Sequence, residues 1–257
     1  MYLPLDPSGI GAPPLAHAVA RLRMKRLAVS AKPFVARGSG GGRCERCRLV
    51  KSHCLCALRP ALSQGAGVCL IMGDIEALKP SNTGWLVADV VAETFAFGWS
   101  RTSVDAGLLA LLADARWQPY LVFPGEFAAP HRVVSGLAPS GGGEAKRPLF
   151  VLLDGTWAEA RKMFRKSPYL DALPVLSLSP GLSSRYRLRR SSREDHFCTS
   201  EVAALCLALA GQTRTAQTLA AYLDVFTEHY LSAKRNTVLD PGSEAHQRLG
   251  DLTTARP

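Results

Sequence analysis

A chain of 257 residues, 47% of them hydrophobic, carries enough apolar material for one substantial core with at most a small satellite module; two full-sized domains would fit only tightly. Thirty-one Lys and Arg against 21 Asp and Glu leave a formal charge of +10, a balance that points to polyanionic partners, either nucleic acid or an anionic membrane surface. No apolar run approaches the ~20 residues of a membrane span, and the opening residues, with Pro4, Asp6, Pro13, Pro14 and His17, lack the order of an export signal, so a cytoplasmic protein with no membrane partner is expected.

In chain order, residues 1–42 are rich in Pro, Gly, Ala and basic residues and end in Gly38-Ser39-Gly40-Gly41-Gly42. They read as a flexible basic extension with only a short helix near 15–27. Next come Cys44, Cys47, Cys54 and Cys56, four of the seven cysteines. The spacing is poor for a disulfide framework and good for a tetrahedral ion in a reducing compartment. Four thiolates suit zinc, and a filled tetrahedron leaves no open position, so the ion of this 43–60 module is expected to be structural. An iron-sulfur cluster would use the same ligands, and His53 could replace one thiolate. Arg46, Arg48 and Lys51, with Arg43 and Arg59, are candidates for phosphate contact, although a solvated basic surface would have the same composition.

Beyond the module, short apolar runs at 68–72, 94–98, 120–123, 149–153 and 174–178 read as strands. Helical periodicity falls at 83–92, 105–113, 156–166, 201–210 and 215–231. The alternation predicts an α/β fold over 61–235, a parallel sheet covered by helices with ligands at the carboxyl ends of its strands. Gly141-Gly142-Gly143 marks a surface loop, and 236–257 is a polar tail expected to fray.

Several sites stand out against this frame. Ser81, Asn82, Thr83 and Gly84 form a small-residue loop that could hydrogen-bond a ligand or simply cap a helix. The strand at 149–153 runs into Asp154-Gly155-Thr156-Trp157, where Thr156 and Glu159 make a capping box. Capping does not explain Asp154, a carboxylate at a strand end beside a glycine that admits close approach. The following helix carries Arg161, Lys162, Arg165 and Lys166 within two turns, a candidate RNA-facing surface. Arg185, Arg187, Arg189, Arg190 and Arg193 surround Tyr186, which could stack on a base. Thr199 and Ser200 precede a helix with Glu201 in its first turn, a cap by default. Cys69, Cys198 and Cys206 lie in apolar segments and read as core residues.

Taken in order, the cysteine cluster, Lys79-Pro80-Ser81-Asn82-Thr83-Gly84, Trp99-Ser100-Arg101-Thr102, Phe123-Pro124-Gly125-Glu126, the stretch 152–168, Tyr186-Arg187-Leu188-Arg189 and Cys198-Thr199-Ser200-Glu201-Val202-Ala203 resemble the DTW-domain family, in particular its bacterial tRNA-uridine aminocarboxypropyltransferases. The resemblance implies a SPOUT-like fold with a knotted carboxyl-terminal part, an S-adenosylmethionine (SAM) site in that knot and transfer RNA as substrate. It implies catalytic roles for Asp154, Thr156 and Trp157, and a cofactor site drawn from Ser81, Asn82, Thr83, Gly84, Phe123, Pro124, Gly125, Leu153, Gly155, Thr199 and Glu201. The implied reaction moves the aminocarboxypropyl group of SAM to N3 of a uridine, position 47 of the tRNA in bacterial members. Asp154 would act as proton acceptor or would grip the SAM amino group. Gly73 stands where the family usually has histidine, and Trp85 where it has arginine. A SAM-dependent RNA methyltransferase and a non-catalytic zinc-ribbon RNA-binding protein are the alternatives, and either a monomer or a homodimer is compatible with the sequence.

Overall fold

A computed structural model describes residues 17–36, 42–138, 146–178 and 197–254. Six strands, β1 (Gly67–Met72), β2 (Thr94–Gly98), β3 (Trp117–Val122), β4 (Val133–Val134), β5 (Arg147–Asp154) and β6 (Val175–Leu176), form one sheet in the order β2-β1-β5-β3-β6-β4. Every pairing is parallel. Seven helices flank it among the described residues: α1 (Ala18–Ala28), α2 (Gly84–Val90), α3 (Ala106–Ala113), α4 (Trp157–Arg165), α5 (Thr199–Leu209), α6 (Thr213–Arg235) and α7 (Glu244–Thr254). The expected α/β class is therefore observed.

The uninterrupted apolar run of β1 is what a strand covered on both faces requires, and all six of its residues are buried. Alternation then sorts its side chains between two cores. Val68, Leu70 and Met72 join Phe150 and Leu152 of β5 in a core closed by α2, α5 and α6. Cys69 and Ile71 join Leu149 and Val151 in a second core with Trp117, Leu108 and Ala160 from β3, α3 and α4. Cys69 and Cys206 are fully buried, as core residues should be.

Helix starts follow local chemistry. The Thr156–Glu159 capping box forms as the sequence predicts. Asp105 Oδ1 accepts from Gly107 N at 2.8 Å to start α3, and His17 Nδ1 accepts from Ala20 N at 3.1 Å to start α1. Burial, aided by Arg59, Arg48 and Arg21, lowers His17 to about 3, so the ring is neutral at pH 7 and keeps the lone pair that the cap uses.

Two terminal segments differ from expectation. The extension at 1–42 contains α1, which is docked rather than loose: Val19 is fully buried and the helix packs on β2 and α2. Residues 1–16 and 37–41 lie outside the described residues. The polar tail at 236–257 contains α7, packed on α6. Its apolar stripe is only Ala245, Leu249 and Leu252, spaced four and three residues apart to share one helix face. A low hydrophobic content hid that face. Of the carboxyl-terminal part in which a knot is expected, residues 179–196 lie outside the described residues. No helix among the described residues is long and apolar enough to cross a membrane.

The topology also locates a switch point. From β1 the chain moves outward to β2, whereas from β5 it moves past β3 to β6. Loops leaving β1 and β5 therefore diverge, and such a switch point is where open parallel sheets bind ligands.

Candidate functional site

At that switch point Gly73 N donates to Asp154 O at 2.8 Å, joining the two loops at their bases. Asp154 is 2% exposed, and both carboxylate oxygens are engaged. Asn82 Nδ2 donates to Oδ2 at 2.7 Å, and Thr199 Oγ1 donates to Oδ1 at 2.8 Å. Asn82, itself fully buried, turns its other end to helix α2, where Oδ1 accepts from Trp85 N at 3.1 Å. Its side chain thus both satisfies an N–H in the first turn of α2 and tethers Asp154. Thr83 Oγ1 accepts from Ser200 N at 3.3 Å, so the loop before α2 and the first turn of α5 share a second bond. Glu201 caps α5 by accepting from Cys198 N at 2.8 Å. The structure brings buried Asn82, Thr83, Gly84 and Asp154 together with half-buried Thr199, uniting three segments that lie far apart in sequence. Ser81 and Leu153 are half-buried at its margin.

A second wall is aromatic. Phe123, at the end of β3, stacks on Trp157 with centroids 5.4 Å apart and on Phe164 at 4.4 Å; Phe127 meets Trp157 edge-on at 5.8 Å. Gly125 N donates to Ser177 Oγ at 3.0 Å, which ties the 123–127 turn to the end of β6. Thr156 spends its hydroxyl on Glu159, and Gly155 lies against Glu159 and Met163. Along α4, Arg161, Lys162 and Arg165 are exposed, with Arg161 6.0 Å from the Trp157 ring and Lys162 Nζ 5.6 Å from the Trp99 ring. Phe127, Phe164 and Ser177 escape a sequence reading because nothing but their place in the fold sets them apart.

The four cysteine sulfurs all lie within 4.8 Å of one another. Cys44 and Cys56 sulfurs are 3.6 Å apart and those of Cys47 and Cys54 are 3.7 Å apart. A zinc ion with Zn–S near 2.3 Å demands tetrahedral edges of about 3.8 Å, so this donor set fits zinc, and the separations exclude disulfides. Leu55 N donates to Cys47 Sγ at 3.5 Å. Burial works to raise the Cys44 thiol but is outweighed by the N–H groups of Cys47 and Arg46 and by the Cys56 and Cys54 thiols, which bring it to about 7. His53 is not part of the cluster: its Nε2 lies 3.0 Å from the Thr237 carbonyl. A cavity of about 460 Å³ beside the cluster is lined by Arg43, Arg46 and Lys51, together with Glu45.

Arg48 does not belong on an RNA-facing surface. It is 3% exposed, its guanidinium donates to the Lys79 carbonyl at 2.7 Å and the Asn82 carbonyl at 3.1 Å, and it lies 4.0 Å over the Trp85 ring. The basic neighbourhood suggested phosphate contact, but burial against two carbonyls and an indole uses up the side chain. Burial lowers its guanidinium to about 9, opposed chiefly by Asp89, so it is charged at neutral pH. Arg185, Arg187, Arg189 and Arg190 lie outside the described residues.

The DTW domain family model matches residues 41–231, from just before the first cysteine into the last turns of α6. No solved structure matches the chain significantly.

Proposed function

This chain belongs to the DTW domain family, and from that premise we propose that it modifies transfer RNA by moving the 3-amino-3-carboxypropyl group of SAM to N3 of a uridine. The observation that carries the reading is the Asp154 constellation at the sheet's switch point, which lies inside the matched span and beside the basic face of α4.

In this reading uridine N3 attacks the Cγ of the methionine moiety. The Cγ–S bond breaks, methylthioadenosine leaves with the electron pair, and the N3 proton is lost. The sulfonium activates all three attached carbons, so the protein's task is to aim the aminocarboxypropyl arm rather than the methyl group at the base. Of the two roles open to Asp154, the hydrogen bonds from Asn82 and Thr199 favour the anchor. Held at both oxygens by Asn82 and Thr199, the carboxylate is fixed in one orientation, as an anchor for an ammonium group must be. The N3 proton then passes to solvent. The aromatic cluster of Phe123, Phe127, Trp157 and Phe164 braces the start of α4, and exposed Arg161, Lys162 and Arg165 on that helix are the groups proposed to meet RNA phosphates. Zinc held by Cys44, Cys47, Cys54 and Cys56 supplies structure and no chemistry, because the four thiolates complete its tetrahedron.

The test is to incubate the purified chain with SAM and tRNA and analyse nucleosides and small molecules by mass spectrometry. Aminocarboxypropyl-uridine together with methylthioadenosine is the expected result. A methylated nucleoside with S-adenosylhomocysteine would reassign the chain as a methyltransferase, and tight tRNA binding without modification would leave it a binding protein.

A further inference from the structure

We propose that Arg48 is a positioning residue that couples the metal knuckle to the Asn82–Asp154 constellation, so that the order of the ligand loop depends on the order of the knuckle.

The knuckle end of this link is rigid. Arg48 lies immediately after Cys47 with φ at +65°, a left-handed conformation that an arginine adopts only when its surroundings impose it. The imposing contacts are within the cysteine loop: Arg48 N donates to Cys44 O at 2.8 Å and Cys44 N donates to Leu49 O at 2.8 Å, while Arg43 Nη1 donates to Arg48 O at 3.1 Å. The Arg48 side chain therefore leaves the cluster from a fixed point.

Its far end grips the loop before α2 at two places, the Lys79 and Asn82 carbonyls, while the guanidinium plane lies over Trp85. Asn82 is held through its backbone by Arg48 and through its side chain holds Asp154. A single residue thus connects the cysteine loop to the carboxylate. The Asn82 carbonyl is buried and the Lys79 carbonyl partly so, so the lost donors, at Asn82 above all, cannot be replaced by water without cost. The planar two-nitrogen fork suits two carbonyls at once, and an ammonium group, with one nitrogen, cannot reach both in the same geometry. A second tie runs parallel: Arg59, just beyond Cys56, meets buried Asp89 of α2 at 3.0 Å. The knuckle is thereby fastened to both ends of α2, and of these two ties the Arg48 one reaches the ligand loop.

The consequence for the reaction rests on the proposed SAM site, whereas the coupling does not. The test substitutes R48K, which keeps charge, stem and backbone preference. The readouts are zinc content, amide hydrogen exchange by mass spectrometry, SAM affinity by calorimetry and tRNA affinity. The expected result is one zinc per chain, unchanged protection in β1 and β5, exchange over 79–87 faster by about tenfold or more, SAM affinity weaker by about tenfold and tRNA affinity within twofold. Removing the metal from the wild type with a chelator should loosen the same 79–87 segment and leave β1 and β5 protected. Unchanged exchange over 79–87 in R48K or in the metal-free wild type overturns the coupling. So does loss of zinc or of protection throughout the chain in R48K, which would make Arg48 a general prop of the fold. If the segment loosens while the wild type itself binds no SAM, the coupling stands and the proposed function falls.

Discussion

A methyl group on Gly84 would lie 2.6 Å from Asp154 Oδ2 and 3.1 Å from Leu70 Cδ1. Asp154 cannot retreat, since Asn82 and Thr199 hold its two oxygens. G84A is therefore expected to cost about 1–3 kcal/mol of stability, read from urea unfolding, and to weaken SAM binding as the Asn82 contact is pushed apart. D154N separates the two roles weighed for the carboxylate. As an anchor, its loss weakens SAM affinity by about tenfold or more, in line with a lost charged hydrogen bond, whereas a proton acceptor would lower kcat with SAM affinity unchanged. Calorimetry beside steady-state kinetics distinguishes them. At this scale the sequence was informative about which residues matter and poor about what they touch. Asp154 stood out because a carboxylate ending an apolar strand needs a reason. Arg48 misled because composition shows charge and conceals burial.

At the scale of elements, the positions of β1, β2 and β5 and the helices α2 to α6 were legible, since continuous apolar runs and 3.6-residue periodicity are local signals. β4, with two residues, was not, because so short a strand exists only through its pairing with β6. The position of β5 between β1 and β3 was equally hidden, as alternation gives strand number and direction without order. α7 went unread for its thin apolar stripe, yet it takes part in a polar junction. His229 is 3% exposed; its Nδ1 lies 3.1 Å from the His53 carbonyl and its Nε2 3.0 Å from His246 Nε2, while Ser243 Oγ donates to Glu228 at 2.7 Å. The carbonyl requires a proton on Nδ1, which leaves Nε2 to accept from His246. Burial, with smaller contributions from His246 and His53, lowers the His229 pKa. The unfolded chain therefore takes up a proton near pH 6.5 that the folded chain refuses. This contribution to stability is complete above that pH and declines as pH falls, by at most one proton, about 1.4 kcal/mol per pH unit. Unfolding free energies of wild type and H229Q between pH 7 and 5 should show the shallower slope in the variant.

For the molecule as a whole, the formal charge of +10 predicts tRNA binding that weakens steeply with salt. Replacing Arg161, Lys162 and Arg165 of α4 together by alanine should reduce the slope of log affinity against log salt by about 2–3, from roughly 0.7–0.9 per phosphate contact. Filter binding across a salt series checks this, and an unchanged slope would move the RNA to another face.

The order of strands in the sheet also bears on how the chain is made. β1 can pair with β2 soon after both leave the ribosome, but its other edge waits for β5, which begins at Arg147, 75 residues after Met72. At about 5–20 residues per second, synthesis leaves that edge open for roughly 4–15 s. The edge belongs to a strand whose every residue is apolar or glycine and buried in the finished protein, the kind of surface on which nascent chains aggregate. The arrangement that creates the switch point thus imposes an interval of vulnerability during translation, when a chaperone has most to protect.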